Sequence, residues 1–117
     1  MSPREWQFLV EDILGAIEKI TQYTRDMTLE DFEHDDRTID AVIRNLIVIG
    51  EAAVHVPRGI AVSHPEIPWR LMSDMRNFAV HQYWGVDAAV LWQTIREDLP
   101  PLVEQLRQIV SAEKNPT

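Results

Sequence analysis

Four side chains with the capacity for chemistry fall within eight positions of a segment that is predicted to be a packed helix: Arg76, Asn77, His81 and Tyr83. Such side chains are costly to bury without partners, so their clustering indicates a site. A histidine takes or gives a proton near neutral pH, and an arginine holds non-bridging phosphate oxygens as charge builds on them. Together they fit the cleavage of RNA by its own 2′-hydroxyl, without a metal, a route that is closed to DNA.

The spacing of Arg76 and His81 leaves a structural interpretation open, in which His81 is a satisfied core histidine and Arg76 a salt-bridge partner. On an ideal α-helix the two side chains differ by roughly 140° around the axis. Both reach one phosphate only if the helix distorts, if Arg76 extends around it, or if two chains form a shared cleft.

Composition restricts the class of protein. The chain has 117 residues, 45% of them hydrophobic, and a formal charge of −8, which predicts one domain with its own core. An acidic chain does not hold nucleic acid through a broad basic surface, so any contact with RNA must be local. Of the 11 basic residues only Lys19 and Lys114 are lysines, and the guanidiniums that remain favour defined bidentate contacts.

The absence of cysteine excludes disulfides and thiolate metal sites. No segment approaches the roughly 20 apolar residues of a membrane span, and the N-terminus lacks the order of a signal peptide. We therefore expect a cytoplasmic protein with no membrane partner and no cofactor. The acidic run at 33–36 is interpreted as a loop and as N-terminal charge for the next helix, in preference to a metal site.

Helical periodicity predicts the elements that position the cluster. A first helix is expected over about 3–25, a capping box from Thr28 to Asp31, a third helix over roughly 36–56, and a loop from 57 to 68. A fourth helix should run through position 79, and Asp87 should cap a last helix that Pro100 and Pro101 kink or divide. We predict an all-α, antiparallel four- to five-helix bundle over residues 1–112 with a frayed tail over 113–117.

The third helix is apolar nearly all round at its centre. Ile47 and Val48 fall outside its apolar stripe, so we expect a second packing partner, either another helix or a second subunit. One edge of this helix aligns Asp40, Arg44, Ile47, Glu51 and His55. This edge is interpreted as ion-paired, with a functional role as the alternative.

The cluster also matches a known motif. Arg76, Asn77, His81 and Tyr83 follow the order of Arg-x4-6-His, often Arg-Asn-x-x-x-His followed by x-Tyr, which is the hallmark of HepT-like toxins of the HEPN superfamily. The segments 40–46, 49–53, 67–69, 85–87 and 97–100 also resemble segments of that family. With the motif they span about three quarters of the chain in the expected order, which is far more specific than the motif alone.

The resemblance implies a HEPN-like, all-helical homodimer with a ribonuclease cleft between its subunits. It implies the toxin of a toxin-antitoxin pair, an endoribonuclease, and the acidic charge leaves open a tight, structured RNA substrate such as tRNA. The partner antitoxin would be of the minimal nucleotidyltransferase type, which in such pairs is thought to transfer AMP to the motif tyrosine, here Tyr83, as O-AMP-tyrosine. A bulky anionic nucleotide beside Arg76 and His81 would block the cleft.

Residue roles follow from the resemblance. His81 is the expected general acid or base, and Arg76 the phosphate clamp. Asn77 would orient the imidazole or bind phosphate, while Glu51 and Arg44 are candidates for a supporting layer.

Two other interpretations remain. The chain could be a non-catalytic helical partner or substrate-binding subunit of a nucleotidyltransferase, holding a nucleotide or that enzyme with its arginine and histidine. It could also be a structural module whose central helix is only a dimer seam.

Overall fold

Amphipathic helices build the described structure, a computed structural model that describes residues 3–78 and 87–114. In chain order the elements are α1 (Pro3–Thr24), α2 (Leu29–Glu33), α3 (Asp36–His55), α4 (Arg58–Ser63), α5 (Trp69–Asp74), a 3₁₀ turn (Met75–Asn77), α6 (Ala88–Gln93), a π-helical segment (Thr94–Asp98) and α7 (Leu99–Lys114). These two ranges contain no strand. The prediction of an all-α bundle is confirmed, while the domain limits and the frayed tail stay predictions.

The long helix α3 is the centre of the core. It packs along α1, and it also contacts α2, α5 and the 3₁₀ turn, while α7 packs on α1. Its buried face follows helical spacing and consists of Val42, Ile43, Asn45, Leu46, Ile49, Gly50, Ala52 and Ala53. Among the described helices, none is long and apolar enough to cross a membrane.

Side-chain caps fix the starts of the helices. The capping box is confirmed, because Asp31 N–H donates to Thr28 Oγ1 at 3.1 Å and Thr28 N–H donates to Asp31 Oδ2 at 3.0 Å. Asp35 starts α3 by accepting the backbone N–H of Thr38 at 3.0 Å, and this bond lowers the pKa of the Asp35 carboxyl. Asp87 starts α6 by accepting the Ala89 N–H at 2.9 Å. Each cap satisfies a backbone donor that the first turn leaves open.

The loop predicted over 57–68 is wrong for half of its length. Residues Arg58–Ser63 form α4, which follows directly after Pro57. None of its six residues is buried, so no apolar periodicity marked it in the sequence. The proline that ends α3 also presets the backbone from which the next helix begins.

The prediction that the last helix is divided near Pro100 and Pro101 is confirmed, because the π-helical segment Thr94–Asp98 separates α6 from α7. The Leu99 N–H donates to the Thr94 carbonyl, five residues back. In a regular α-helix the ring of Pro100 would crowd the carbonyl of residue 96, and Pro100 has no N–H to give it. The wider turn before the prolines relieves that conflict.

Arg96, in the π-helical segment, caps the C-terminal end of α1. Its Nη2 donates to the carbonyl oxygens of Thr24 at 2.9 Å and Met27 at 3.1 Å. Its guanidinium carbon also lies 4.2 Å from the centroid of the Trp92 ring. One side chain therefore satisfies carbonyls at the C-terminal end of α1 and ties that end to the last helical stretch.

Candidate functional site

The motif arginine lies on the 3₁₀ turn that follows α5. Met75–Asn77 form this turn, and the N–H of Phe78 donates to the carbonyls of Arg76 and Met75. A 3₁₀ turn has about 3.0 residues per turn instead of 3.6. The fourth helix, predicted to run through position 79, is therefore an α-helix only as far as Asp74 and is followed by the 3₁₀ turn.

Gly50 is the residue that lets this turn lie against α3. A β-carbon built at Gly50 would be 2.6 Å from the backbone nitrogen of Arg76 and 2.8 Å from its β-carbon. Contacts this short do not occur between a real β-carbon and backbone, so any larger residue must push the turn away from the helix. Gly50 therefore sets the position of the Arg76 backbone.

From the sequence alone, Gly50 is expected on the apolar face of α3 and has no part in the predicted site. A usable signal was present, since a glycine costs a helix interior about 1 kcal/mol relative to alanine. Such a glycine within a run of β-branched residues usually marks a close approach of another backbone.

Glu51 meets Arg76 at the next position of α3. Arg76 Nη1 donates to Glu51 Oε1 at 3.4 Å, with 46% and 53% of the two side chains exposed. An ion pair this exposed contributes only about 0.2–1 kcal/mol to stability. The ion pair places the guanidinium beside Glu51, and the supporting role of Glu51 in the site stays a prediction.

The other predicted site residues are placed differently. Asn77 ends the 3₁₀ turn and is exposed. Arg44 is exposed on α3, about 10 Å along the helix from Glu51, and no described contact joins it to Arg76. His81 and Tyr83 lie outside the described residues, so their placement stays a prediction.

A shallow groove between α1 and α3 adjoins Glu51. It has a volume of about 340 Å³ and is lined by Leu9, Asp12, Ile47, Val48, Glu51, Ala52 and His55. His55 Nδ1 lies 2.7 Å from the Glu51 carbonyl oxygen. Ile47 packs in part against the core, whereas Val48 keeps 38% of its surface exposed. Packing within the described chain thus covers Ile47 in part and leaves Val48 on the surface.

A second, smaller cavity of about 180 Å³ joins the 3₁₀ turn to the π-helical segment. Its lining includes Met75 and Phe78 from one side and Thr94 and Asp98 from the other. Burial raises the pKa of the Asp98 carboxyl, and the negative charge of Glu97 adds to the shift. Within residues 3–78 and 87–114, no group of three or more histidines and carboxylates is placed to hold a metal ion.

Comparison with known proteins bears on what this site is. A family model described as "Ribonuclease HepT-like" matches residues 13–109. The chain belongs to the HepT-like ribonuclease family. The resemblance carried by the motif and its flanking segments is therefore confirmed.

Relatives of this HepT-like chain match over nearly all of their length. A protein of Thermococcus cleftensis named "Probable ribonuclease HepT" is 49% identical over 102 residues, which is 85% of this chain and 93% of that protein. A "Putative RNase" of Methanocaldococcus jannaschii is 34% identical over 110 residues, 94% of this chain and 95% of that protein. Another "Putative RNase", from Caldanaerobacter subterraneus, is 32% identical over 105 residues, 90% of this chain and 94% of that protein. No solved structure gives a significant match.

Proposed function

We propose that this HepT-like chain is an endoribonuclease that cleaves RNA through its 2′-hydroxyl. In this reaction the 2′ oxygen bonds to the adjacent phosphorus and the bond to the 5′ oxygen breaks. A base takes the proton of the 2′-hydroxyl, and an acid gives a proton to the departing 5′ oxygen. The products are a 2′,3′-cyclic phosphate and a 5′-hydroxyl end.

The placement of Arg76 is the observation that carries the proposal. Its backbone rests against Gly50, its guanidinium is oriented by Glu51, and nearly half of its side chain faces solvent. A guanidinium has five N–H donors in a planar fork, so one donor to Glu51 leaves others for phosphate oxygens. An arginine held ready before substrate arrives does not pay the cost of reorganisation as charge develops.

His81 is the proposed proton carrier, and Asn77 is proposed to orient it or to hold phosphate. The ordinary pKa of a histidine lies near neutrality, so it serves as both acid and base in such a reaction. The motif Arg76-Asn77-x-x-x-His81 and the family membership support these roles.

A homodimer with an RNA-cleaving cleft between its subunits is proposed as the working form. The net charge of −8 favours a structured substrate held at few points, such as tRNA, over long contact with RNA. As the toxin of a toxin-antitoxin pair, the chain would be neutralised when a nucleotidyltransferase antitoxin adds AMP to Tyr83. That anionic group would compete with RNA for the charge of Arg76.

The test is induced expression of four versions of the chain without any partner protein: wild type, Arg76→Ala, His81→Ala and the control His34→Ala. His34 is an exposed histidine at the end of α2 whose Nδ1 lies 2.8 Å from the Glu30 carbonyl. Growth arrest with cleaved small RNA is expected for the wild type and His34→Ala only. The RNA fragments should carry 2′,3′-cyclic phosphate ends.

Intact RNA and normal growth with the wild type, when it is folded and dimeric, would overturn the ribonuclease proposal. That result would favour a non-catalytic partner of a nucleotidyltransferase, which copurification with such an enzyme would detect. Cleavage that persists in His81→Ala would instead remove His81 from the proposed mechanism.

A further inference from the structure

The outer edge of α3 carries charges in an order that complements itself when reversed. From its N-terminal to its C-terminal end, the edge has an acidic residue, a basic residue, an apolar residue, an acidic residue and an imidazole: Asp40, Arg44, Ile47, Glu51 and His55. These positions lie within about 80° around the helix axis. The four polar residues are exposed and Ile47 is half-buried. Two such edges packed antiparallel would place Arg44 opposite Glu51 and Asp40 opposite His55, with an apolar centre between them.

The register of that pairing follows from the numbering. A two-fold axis between positions 47 and 48 sets Arg44 against Glu51 and Asp40 against His55, because each pair is symmetric about that point. It sets Ile47 level with Val48, an exposed valine beside the edge. A two-fold interface requires such self-complementary pairs, because the same surface patch is used by both subunits.

The two grooves that Val48 lines are consistent with the same two-fold axis. Val48 lines the 340 Å³ groove with Glu51 and His55. It also lines a second groove, of about 240 Å³, whose lining includes Arg44 of α3 together with Lys19, Glu11 and Asp12 of α1. Arg44 and Glu51 therefore lie on opposite sides of a small apolar centre, which suits a second copy of this chain turned by 180°.

We propose that this edge of α3 is the self-interface and that the partner subunit's Arg44 enters the site, beside Arg76. The inference rests on the homodimer of the proposed function and names the face and the residue that the second copy contributes. Glu51 accepts from Arg76 on its own chain and from the partner subunit's Arg44, since a carboxylate has room for about four hydrogen bonds. Each site then holds two guanidiniums, one from each chain, which gives an acidic protein a local centre for phosphate.

Charge reversal tests the pairing directly. Arg44→Glu and Glu51→Arg each place like charges together in the dimer and should raise its dissociation constant about tenfold or more, measured by sedimentation. The double variant restores opposite charges and should return the constant to within about threefold of wild type. Arg58→Glu makes the same charge change on exposed α4 and should leave association unchanged. Circular dichroism establishes that each variant is folded.

Cross-linking tests the position of the axis. The chain has no cysteine, so a single Val48→Cys introduces the only thiol. Oxidation should link two chains through position 48, whereas Val62→Cys, at a valine that is 67% exposed on α4, should stay unlinked. A double charge variant that fails to recover association, or equal linking at 48 and 62, would overturn the proposed interface.

The same preparations separate this inference from the ribonuclease proposal. If the wild type cleaves RNA, and Arg44→Glu dimerises and cleaves RNA as the wild type does, the proposed interface is wrong and the ribonuclease proposal stands. Restored association in the double variant, with no RNA cleavage by the wild type, would support the interface and overturn the ribonuclease.

Discussion

At the scale of single residues, the ion pair between Arg76 and Glu51 is the central contact of the proposed site. Their contact at 3.4 Å is half-exposed, so its contribution to stability is small and its orienting effect is what matters. Arginine suits the proposed phosphate clamp because a planar guanidinium has donors for two phosphate oxygens while one donor remains with Glu51. A lysine offers the same charge as a point on a flexible chain.

Arg76→Lys is therefore expected to bind RNA nearly as well as the wild type and to cleave it about 100-fold more slowly, a loss typical of removing one preorganised donor. Steady-state kinetics should show the loss in kcat with KM little changed. Loss confined to KM would mean that Arg76 contributes only to binding.

Asp98 carries a second prediction at this scale. Its folded pKa is raised above the ordinary 3.8 by burial and by Glu97, so the folded state holds the proton more tightly and ionisation opposes folding. That opposition is absent below about pH 3 and develops as the pH rises through the raised pKa. Asp98→Asn should therefore raise Tm at pH 7 and leave it unchanged near pH 3.

Asp35 provides the control of opposite sign. Hydrogen bonds from Thr38 lower its pKa, so its charge adds stability above the ordinary pKa, and this stability is lost as the pH falls through the lowered value. Asp35→Asn should lower Tm at pH 7. Equal responses of the two variants would contradict this account.

At the scale of elements, the site depends on how closely the 3₁₀ turn approaches α3. Gly50 removes the one β-carbon that would separate them, and Glu51 follows it with the ion pair. The helix therefore has a residue of poor helical propensity at this position, and its missing β-carbon allows the Arg76 backbone to come within contact distance. Packing and the proposed chemistry meet in these two adjacent positions.

Gly50→Ala should lower the free energy of unfolding by about 1–3 kcal/mol, because overpacking forces the backbone to shift. It should also reduce RNA cleavage, since the shift displaces Arg76. Gly59→Ala is the matched control, because a β-carbon there meets nothing within 4 Å. Denaturant unfolding and a cleavage assay of both variants make the comparison, and an unchanged Gly50→Ala protein would contradict the close approach.

At the scale of the whole molecule, net charge sets how RNA is held. A chain of charge −8 repels RNA except where guanidiniums gather, so binding should rest on few phosphate contacts. The proposed site offers such a place, with Arg76 of one subunit and the partner's Arg44. Affinity for RNA should then depend only weakly on salt.

The logarithm of RNA affinity is expected to fall with the logarithm of salt concentration with a slope between about −1 and −2, as two or three phosphate contacts to a single strand would give. Arg76→Ala should reduce the magnitude of that slope by about 0.7. Fluorescence anisotropy across a salt series measures both, and a wild-type slope of about −5 or steeper would indicate an extended basic surface instead.

Much of the helical framework was determined by the sequence alone. The limits of α1 and α3, the caps at Thr28 and Asp87, and the division before Pro100 all agree with the structure. Each depends on side chains within a few positions of the backbone that they organise. The motif residues also indicated the HepT-like family.

Only the tertiary structure decided how the site is put together. The contact of the 3₁₀ turn with Gly50 joins positions 26 residues apart, and the ion pair of Arg76 with Glu51 joins positions 25 residues apart. No periodicity or cap encodes such contacts, because they arise when separate helices pack and their energies depend on the neighbours that packing supplies. The helix α4 was missed for a related reason, since a six-residue helix with no fully buried residue gives no apolar periodicity to detect.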